Sequence, residues 1–267
     1  MMDVDERRTR IGQIVSEHGE AAFASLAADF GVSEMTIRRD VEALEKAGLV
    51  RRIFGGVIAG SGMGLEPPYG QRAGREVGSK DRIGAAIADA LRPGETVFLD
   101  SGSTVAAVAH ALQGRDLGLT VLTPSIQVAV ALADEPGTRV ILLGGEVRAG
   151  ELSIIGHDAE QMLARYNCDT FVAGVAGVDP VKGLTEYHPQ EASIKRAAVA
   201  RSARVIVGAD STKLGQVFLV TVAALDQVAM LVTDSSDHPT LAAAREAGAS
   251  VITVSDGNPP YLNGNEQ

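Results

Sequence analysis

The chain has 267 residues, of which 45% are hydrophobic and 4% aromatic, and its formal net charge is −10. This length accommodates two small domains or one large domain with an appendage, and the composition excludes disordered, collagen and coiled-coil proteins. Because no run of about eighteen apolar residues occurs and residues 1–20 are rich in charge, we expect a cytoplasmic protein without a signal peptide or membrane span. The lone Cys168 excludes an intrachain disulfide and a cysteine-based zinc site.

Apolar residues recur at helical spacing in three segments of the first fifty residues. Those expected to face inward are Ile11, Ile14 and Val15, then Phe23, Leu26, Ala27 and Phe30, then Ile37, Val41 and Leu44. Gly31 permits a sharp turn before the third helix, Ser33 supplies its N-cap oxygen, and Lys46 and Gly48 predict its end. This order predicts a helix-turn-helix motif.

A hairpin and a linker follow the third helix. Two β-rich runs surround the pair Gly55-Gly56 in residues 49–58, which predicts a β-hairpin that acts as a wing. The winged helix-turn-helix domain is therefore predicted to span residues 1–58. The next residues are small or proline and lack a periodic apolar pattern, so we assign a linker to residues 59–74.

From about residue 75, short β-rich runs alternate with amphipathic helices. The runs are TVFLD (96–100), LTVLT (119–123), RVILL (139–143), DTFVAG (169–174), RVIVGA (204–209), AMLVT (229–233) and SVITV (250–254). This alternation predicts an α/β domain over residues 75–255, with a largely parallel sheet covered on both faces. Loops at the carboxyl ends of such strands converge on one edge, where ligands bind. Residues 256–267 are predicted to form a loose C-terminal tail.

The exposed face of the third helix is the strongest candidate for contact with DNA. The net negative charge argues against nonspecific polyanion binding, but two arginine pairs lie on neighbouring elements, and the start of such a helix usually reaches base edges in the major groove. The candidate DNA-binding residues are Ser33, Glu34, Met35, Thr36, Arg38, Arg39, Arg51 and Arg52. An exposed methionine suits a thymine methyl group, and arginine suits phosphates or guanine edges. The alternatives are a helical bundle with a solvated arginine face and a module that binds a partner protein.

These residues resemble the DeoR family of bacterial transcriptional regulators. The resemblance rests on the segment FGVSEMTIRRDVEALEKAGL (30–49), followed by RIFGG (52–56). This chain has Ala22 where the family commonly has a Ser or Thr N-cap, and Phe54 where a histidine is common before the two glycines. The resemblance implies a regulator of double-stranded operator DNA, and we expect a repressor.

In the larger domain, the loop after TVFLD is the strongest candidate for ligand binding. Residues 100–104, DSGST, lead directly into an apolar helix, and such a loop offers N–H groups, hydroxyls and the positive end of the helix dipole to an anion. A capped connection without a ligand is the alternative. Loops 123–125, 144–145 and 210–213 are expected on the same edge of the sheet. Glu191 and Lys195 share a helix face, either beside this site or as a surface ion pair of small worth.

These segments are also similar to the carboxy-terminal sensor domain of the DeoR family, whose fold is related to ribose-5-phosphate isomerase. The resemblance covers roughly residues 5–255 and implies a phosphorylated sugar or related metabolite as the effector. The implied contacts are Asp100, Gly102, Ser103, Thr104, Ser125, Lys195 and Lys213, with Gly144, Gly145, Thr185 and Glu191 nearby. The family often has asparagine where this chain has Pro124, which offers neither a side-chain nor a backbone donor.

Signatures of other chemistries are missing from the sequence. No Walker A loop, dinucleotide-binding glycine motif or G-x-S-x-G occurs, and the five histidines lack metal-ligand spacing. We therefore expect no catalytic residue, metal or cofactor. The alternative function is an isomerase-like enzyme with Asp100, Glu191 or Lys195 as acid or base, although an isomerase has no need of a DNA-reading domain. We expect effector binding to weaken DNA binding, and a homo-oligomer that contacts paired half-sites.

Overall fold

The computed structural model describes residues 3–18, 20–46, 50–59 and 66–255. The chain divides into two compact units, Met1–Pro68 and Tyr69–Gln267. The predicted tail and the glycine expected to end the third helix, Gly48, lie outside the described residues.

The first unit contains the three predicted helices and a small sheet. Its elements are α1 (Val4–His18), β1 (Glu20–Ala22), α2 (Phe23–Phe30), α3 (Glu34–Lys46), β2 (Val50–Ile53) and β3 (Gly56–Ala59). The buried core is formed by Ile11, Val15, Phe23, Leu26, Ile37, Val41, Leu44, Val50 and Val57, with Ile14, Ala27 and Phe30 partly buried against it. The helices therefore bury the stripes that their periodicity predicts.

The turn between α2 and α3 forms as the sequence predicts. Gly31 adopts a left-handed conformation, with φ of 63°, and ends α2. The Thr36 backbone N–H in the first turn of α3 donates to the Ser33 hydroxyl oxygen at 3.2 Å and to the Ser33 carbonyl at 2.9 Å, so Ser33 caps this helix.

The wing has three strands, whereas the sequence predicts two. The strand order is β1-β3-β2, and both pairings are antiparallel. The extra strand β1 has the sequence EAA and no β-rich pattern, so only backbone pairing with β3 defines it. The predicted hairpin forms, with its turn at Phe54 and Gly55, and Gly56 already pairs with Ile53.

A buried ion pair joins the first and third helices. Asp40 of α3 is 2% exposed, and its carboxylate accepts hydrogen bonds from Arg7 at 2.7 Å and from Arg8 at 3.0 Å. The two guanidinium groups compensate the negative charge of the Asp40 carboxylate at the interface between α1 and α3.

The second unit alternates strands and helices. Its elements are α4 (Tyr69–Gly74), α5 (Val77–Ala90), β4 (Thr96–Leu99), α6 (Ser103–Leu112), β5 (Thr120–Thr123), α7 (Ile126–Leu132), β6 (Arg139–Leu142), β7 (Glu146–Arg148), β8 (Ser153–Ile155), α8 (His157–Leu163), β9 (Cys168–Gly174), β10 (Gly177–Asp179), β11 (Gly183–Glu186), α9 (Pro189–Arg201), β12 (Ser202–Gly208), β13 (Val220–Ala223), β14 (Met230–Thr233), α10 (Pro239–Glu246) and β15 (Ser250–Thr253). Among the described residues, no helix combines the length and apolar character needed to cross a membrane.

The seven predicted strands form one sheet, in the order β15-β14-β12-β9-β4-β5-β6. Every pairing in it is parallel. Side chains of α5, α6 and α7 pack on one face of the sheet, and those of α8, α9 and α10 on the other. Both faces are thus buried, which is why these strands are continuous apolar runs and why the fold was predictable.

Several short strands and one short helix were not predicted from the sequence. Strands β7 and β8 form an antiparallel pair, and β10, β11 and β13 form a second small sheet. Residues 69–74, assigned above to the linker, form the helix α4, whose carboxyl end is held because the Lys80 ammonium donates to the backbone carbonyls of Arg72 and Arg75. This contact comes from α5 and leaves no local pattern in α4.

The strand order reverses direction between β4 and β9. From β4 the chain proceeds outward through β5 and β6, then returns to the other side of β4 as β9 and proceeds outward through β12, β14 and β15. In open α/β sheets, ligands bind beside such a reversal, at the carboxyl ends of the strands. Here these ends lead into residues 100–104 and 174–176.

Candidate DNA-binding surface and effector pocket

The amino-terminal end of α3 presents the predicted polar and apolar groups to solvent. Ser33 and Glu34 are exposed, and Met35 is 59% exposed despite being apolar. Thr36 is half-buried, and its hydroxyl lies 2.9 Å from that of Ser33, next to the N-cap hydrogen bond. Met35 is therefore as exposed as the predicted contact with a thymine methyl group requires, while Ser33 also has a structural role as the cap.

The arginines of this surface differ in their partners. The Arg38 guanidinium stacks on the Phe23 ring, 4.4 Å from its centroid, and lies 3.6 Å from the Glu34 carboxylate. Arg39 is exposed and forms no ion pair with another residue that the structure describes. Among the candidate arginines, Arg39 is therefore the strongest candidate for an ionic contact with DNA, because no carboxylate of the described residues neutralises its charge. The Arg51 side chain lies outside the described part of the chain.

The remaining arginine, Arg52, connects the wing to α3. Its backbone N–H donates to the Glu45 carboxylate at 2.8 Å, and its guanidinium bonds the other oxygen of the same group. The Arg52 backbone N–H is the largest cause that holds the pKa of Glu45 below its usual value. Arg52 thus positions the wing, and half of its side chain remains exposed beside α3.

Beside the reversal of strand order in the second unit, the ammonium group of Lys195 lies at the centre of a cluster of buried charged side chains. Its ammonium donates to the carboxylate of Asp100 and to the Gly174 carbonyl at 2.8 Å, and lies 3.2 Å from the Glu186 carboxylate. The Gly174 N–H in turn donates to Asp100 at 3.1 Å. These bonds join the ends of β4 and β9 to α9 and β11.

The protonation of this network follows from burial and charge. Burial alone lowers the pKa of Lys195, but the carboxylates of Asp100, Glu186 and Glu191 outweigh it and raise that pKa above its ordinary value. Burial raises the pKa of Asp100 to about 6, against the opposing effect of Lys195. Lys195 is therefore charged, and Asp100 gains a proton more readily than an exposed aspartate does.

Glu191 and Lys195 do not form the surface ion pair considered above, since they are 7% and 3% exposed. Glu191 accepts a hydrogen bond from the Ser153 hydroxyl at 2.6 Å and lies 3.1 Å from the Arg148 guanidinium. Burial raises the pKa of Glu191, but Lys195, Ser153 and Arg148 together hold it below its ordinary value. Glu191 therefore bonds Ser153 and Arg148, whereas Lys195 bonds Asp100. These partners lie at the edge of the sheet, against the same face of α9.

Cationic groups gather around the amino terminus of α6. Gly102 precedes this helix with φ of 105°, and a Cβ placed on it would lie 4.0 Å from a guanidinium nitrogen of Arg72. The Lys213 ammonium lies 3.4 Å from the Thr104 hydroxyl, and Lys80 is close enough to Lys213 and Arg72 for both to lower its pKa, after burial. Together with the helix dipole, these three cations favour an anion near residues 102–104.

Carboxylates of the second unit lie beside two of these cations. Arg72 pairs with Glu151, which lies between β7 and β8, and Lys213 lies 3.8 Å from the Asp210 carboxylate. Burial lowers the pKa of Lys213, Asp210 opposes that shift, and Arg72 adds to it. A phosphoryl group would compete with these carboxylates for the same cations.

The other predicted pocket residues have mainly structural contacts. Ser125 caps α7, accepting the Val128 N–H at 3.2 Å, and Thr185 accepts the Phe218 N–H at 3.1 Å. A side chain at Gly145 would come within 2.7 Å of the Ile155 carbonyl, so this glycine permits packing against β8. The Gly144 N–H lies 3.3 Å from the Met162 sulfur. Ser103 is buried at the start of α6, between Gly102 and Thr104.

Several residues of this site were not predicted from the amino-acid sequence. They are Arg72, Lys80, Arg148, Glu151, Ser153 and Glu186. Arg72 and Lys80 lie before β4, the first strand of the second unit, and the others lie on β7, β8, β11 and the turn between β7 and β8, which the apolar pattern did not predict. Charged residues within the short β-rich runs 146–155 and 183–186 are the sequence feature that could have indicated these additional site residues.

Comparison with known proteins agrees with this architecture. Residues 7–61 match the DeoR-like helix-turn-helix domain, and residues 75–235 match the DeoR C-terminal sensor domain. The HTH-type transcriptional regulator GlpR of Haloferax volcanii is 32% identical over 92% of this chain and 96% of its own length. The glycerol-3-phosphate regulon repressor of Escherichia coli K12 is 31% identical over 88% of this chain and 92% of its own length. A solved structure titled probable sor operon regulator, from Shigella flexneri, is 15% identical, with a TM-score of 0.45 over 63% of this chain and 88% of that one.

A winged helix-turn-helix unit joined to an α/β sensor unit defines a DNA-binding transcriptional regulator. The chain belongs to the DeoR family. Its relatives carry the names of regulators, and the isomerase alternative is not favoured.

Proposed function

We propose that the chain is a repressor of carbohydrate-metabolism genes, and that a phosphorylated sugar or polyol releases it from operator DNA. The observation that carries the effector part is the set of cations, Arg72, Lys80 and Lys213, gathered around the amino terminus of α6. A phosphoryl group satisfies these cations and the free N–H groups of the helix together. The relative named glycerol-3-phosphate regulon repressor supports a small phosphorylated ligand.

The proposed roles of the pocket residues follow their exposure and partners. Gly102, Ser103, Thr104 and Lys213 bind the phosphoryl group together with Arg72 and Lys80. Asp100 and Lys195 are buried against each other and orient the loop, so they act on the effector through residues 100–104 and 174. The pocket thus senses its ligand without converting it, and the chain is not an enzyme.

In the DNA-binding unit, we assign direct contacts to Ser33, Glu34, Met35, Thr36, Arg38 and Arg39, with Arg51 and Arg52 from the wing. The domain limits we propose are residues 1–58 for this unit and 69–255 for the sensor, so that α4 joins the sensor. Because one recognition helix reads few base pairs, two copies on paired half-sites extend specificity, and we propose a homo-oligomer.

The first test is thermal unfolding of the full chain with sugar phosphates, glycerol 3-phosphate, inorganic phosphate and the unphosphorylated parents. A ligand at a hundred times its dissociation constant adds about 2.7 kcal/mol to the stability of the domain that binds it. We expect one phosphorylated compound to raise Tm and to weaken DNA binding in an anisotropy titration. A shift with the unphosphorylated parent as large as with its phosphate would contradict the proposal.

A matched pair of variants tests the assignment of the pocket. Lys213→Ala should abolish the ligand-induced Tm shift and leave DNA binding intact, whereas Lys182→Ala, which removes an exposed lysine, should retain both. If Lys213→Ala responds to the phosphorylated ligand as the wild type does, the anion site lies elsewhere. Detection of an isomerised product after incubation would show that the pocket converts its ligand.

A further inference from the structure

The turn between β7 and β8 buries a charged side chain and exposes an apolar one. Glu151 is 8% exposed, whereas Leu152, the next residue, is 43% exposed. This is the reverse of the partition that the hydrophobic effect favours, because glutamate is almost never fully buried unless it is paired. Apolar packing therefore does not explain the orientation of this turn, and the contacts of Glu151 must compensate for its burial.

The backbone of this turn adopts an uncommon conformation. Leu152 has a φ of 55°, in the left-handed region that leucine rarely enters. Its N–H donates to the Arg148 carbonyl at 3.2 Å, and its carbonyl accepts the N–H of Ile126, at the start of α7, at 3.0 Å. Such strain persists only where surrounding contacts hold it, and it is concentrated at functional sites. The turn therefore buries the Glu151 carboxylate in spite of an unfavourable backbone conformation.

The partner of Glu151 is a cation of the proposed anion site. Its carboxylate pairs with the Arg72 guanidinium, and a nitrogen of that guanidinium lies 4.0 Å from the position that a Cβ would take on Gly102. The guanidinium carbon lies 5.9 Å from the centroid of the Tyr69 ring, and the Arg72 carbonyl accepts a hydrogen bond from Lys80. Because these contacts hold Arg72 beside α6 independently of Glu151, the guanidinium can exchange one anion for another without leaving the site.

We propose that Glu151 is an internal counterion of the anion site, and that the phosphoryl group of the effector displaces it from Arg72. Without effector, the carboxylate neutralises this cation, so Glu151 sets the effector concentration at which the pocket responds. A phosphoryl group carries more charge than a carboxylate, and it is also bound by Lys213 and the N–H groups at the start of α6, so it competes successfully. The inference rests on the effector site proposed above and adds the group that competes for it.

Once Arg72 binds a phosphoryl group, the turn between β7 and β8 loses an anchoring contact. A carboxylate left buried without its cation is strongly unfavourable, so Glu151 must regain contact with water. The uncommon conformation of Leu152 then loses one of the contacts that hold it, and residues 149–152 open. The strands on either side of the turn remain bonded to α9 through Glu191. Effector binding is thus expected to loosen one local segment of the sensor unit.

The first test measures the affinity of the full chain for inorganic phosphate, from thermal unfolding over a phosphate series at constant ionic strength. For Glu151→Gln we expect about tenfold tighter binding, because a neutral amide competes weakly for a guanidinium. Glu151→Asp retains the charge on a shorter side chain and should lie between wild type and Glu151→Gln. Glu146→Gln removes the same charge from an exposed residue of β7 and should leave the affinity unchanged.

A double-mutant cycle tests whether Glu151 acts through Arg72. Arg72→Gln alone should weaken phosphate binding, and the gain from Glu151→Gln should disappear in this background, because there is no longer a guanidinium to compete for. A gain of the same size in both backgrounds would show that a general loss of negative charge, rather than competition for Arg72, causes it.

Hydrogen exchange provides a readout that a merely structural ion pair would not change. Added phosphate should slow exchange of the N–H groups of residues 102–104 and accelerate exchange in residues 149–152. In Glu151→Gln the acceleration should be smaller, because no buried charge is left unpaired. Slower exchange of both segments in the wild type would show that Glu151 stays in place when the anion binds.

The outcomes separate this inference from the function on which it rests. Unchanged or weaker phosphate binding by a folded Glu151→Gln variant would overturn the proposal, and weaker binding would show that Glu151 itself contacts the ligand. If Glu151→Gln does not fold, wild-type affinity in Glu151→Asp would overturn it. Absence of phosphate binding in the wild type and in every folded variant would contradict the anion site itself, so the two failures are distinguishable.

Discussion

The two units place their charged side chains in opposite environments. In the first unit, Arg38, Arg39 and Arg52 lie on the surface, and the buried carboxylate of Asp40 joins two helices. In the second unit, Lys195 and Asp100 are 3% and 1% exposed, at the carboxyl ends of the sheet. The difference shows that the arginines of the candidate DNA-binding surface stay exposed, even where Arg38 and Arg52 lie beside the Glu34 and Glu45 carboxylates, whereas the charges of the pocket are buried against one another.

The largest expected effect is that of removing the cation at the centre of the pocket. Lys195→Met leaves the carboxylates of Asp100 and Glu186 buried without their partner, so we expect a loss of about 3–5 kcal/mol in the free energy of unfolding. Urea denaturation measures it, and Lys182→Met, at an exposed lysine, should cost little.

The pH dependence of this loss provides an independent readout. Burial raises the pKa of Asp100 to about 6, so below that pH the aspartate becomes neutral and needs no cation. Because Lys195 opposes the effect of burial, its removal raises that pKa further, so the difference between wild type and Lys195→Met should shrink as the pH falls toward 6. A difference that stays constant with pH would show that lost packing, rather than unpaired charge, destabilises the variant.

The second effect separates binding from stability. Arg39→Ala should weaken operator binding by about 1–3 kcal/mol if the guanidinium contacts a guanine edge. The free energy of unfolding should change by less than about 0.5 kcal/mol, because the side chain is exposed. Anisotropy and urea denaturation measure the two quantities, and Arg201→Ala is the charge-matched control in the sensor unit. Unchanged affinity would remove Arg39 from the interface.

A smaller effect concerns the N-cap of the recognition helix. Ser33→Ala removes the oxygen that accepts the Thr36 N–H, so we expect a loss of about 1 kcal/mol in stability. Ser33→Asp retains an acceptor at the cap and should retain most of that stability. If hydrogen exchange at the first turn of α3 is equally slow in wild type and Ser33→Ala, the cap contributes nothing measurable.

The smallest expected effect is the pH dependence of effector binding. Burial is the main cause that lowers the pKa values of Lys80 and Lys213 below the ordinary 10.5. Since an anion binds the protonated amines, affinity should be highest where both are charged and should fall a few-fold as the pH rises toward alkaline values. Calorimetry in buffers of different ionisation enthalpy should detect proton uptake on binding. Binding that is equally strong across this range, without proton uptake, would contradict the assignment.

The amino-acid sequence by itself determined the elements whose information is local. The apolar stripes of α1, α2 and α3, the cap at Ser33 and the turn at Gly31 follow from helix geometry. The seven strands of the main sheet were predictable because both faces of that sheet are buried, which requires continuous apolar runs. The loop at residues 100–104 was recognisable because a strand, a small-residue turn and a helix are consecutive in the chain.

Tertiary structure alone decided the partners of the charged residues. Glu191 and Lys195 share a helix face, yet Lys195 pairs with Asp100 and Glu191 with Arg148, because the reversal of strand order brings distant segments to one edge. In the same way, β1 exists only through its pairing with β3, and the end of α4 is held by Lys80. Pairing energies between residues far apart in the chain depend on burial and on neighbouring charges, and neither is encoded in local periodicity.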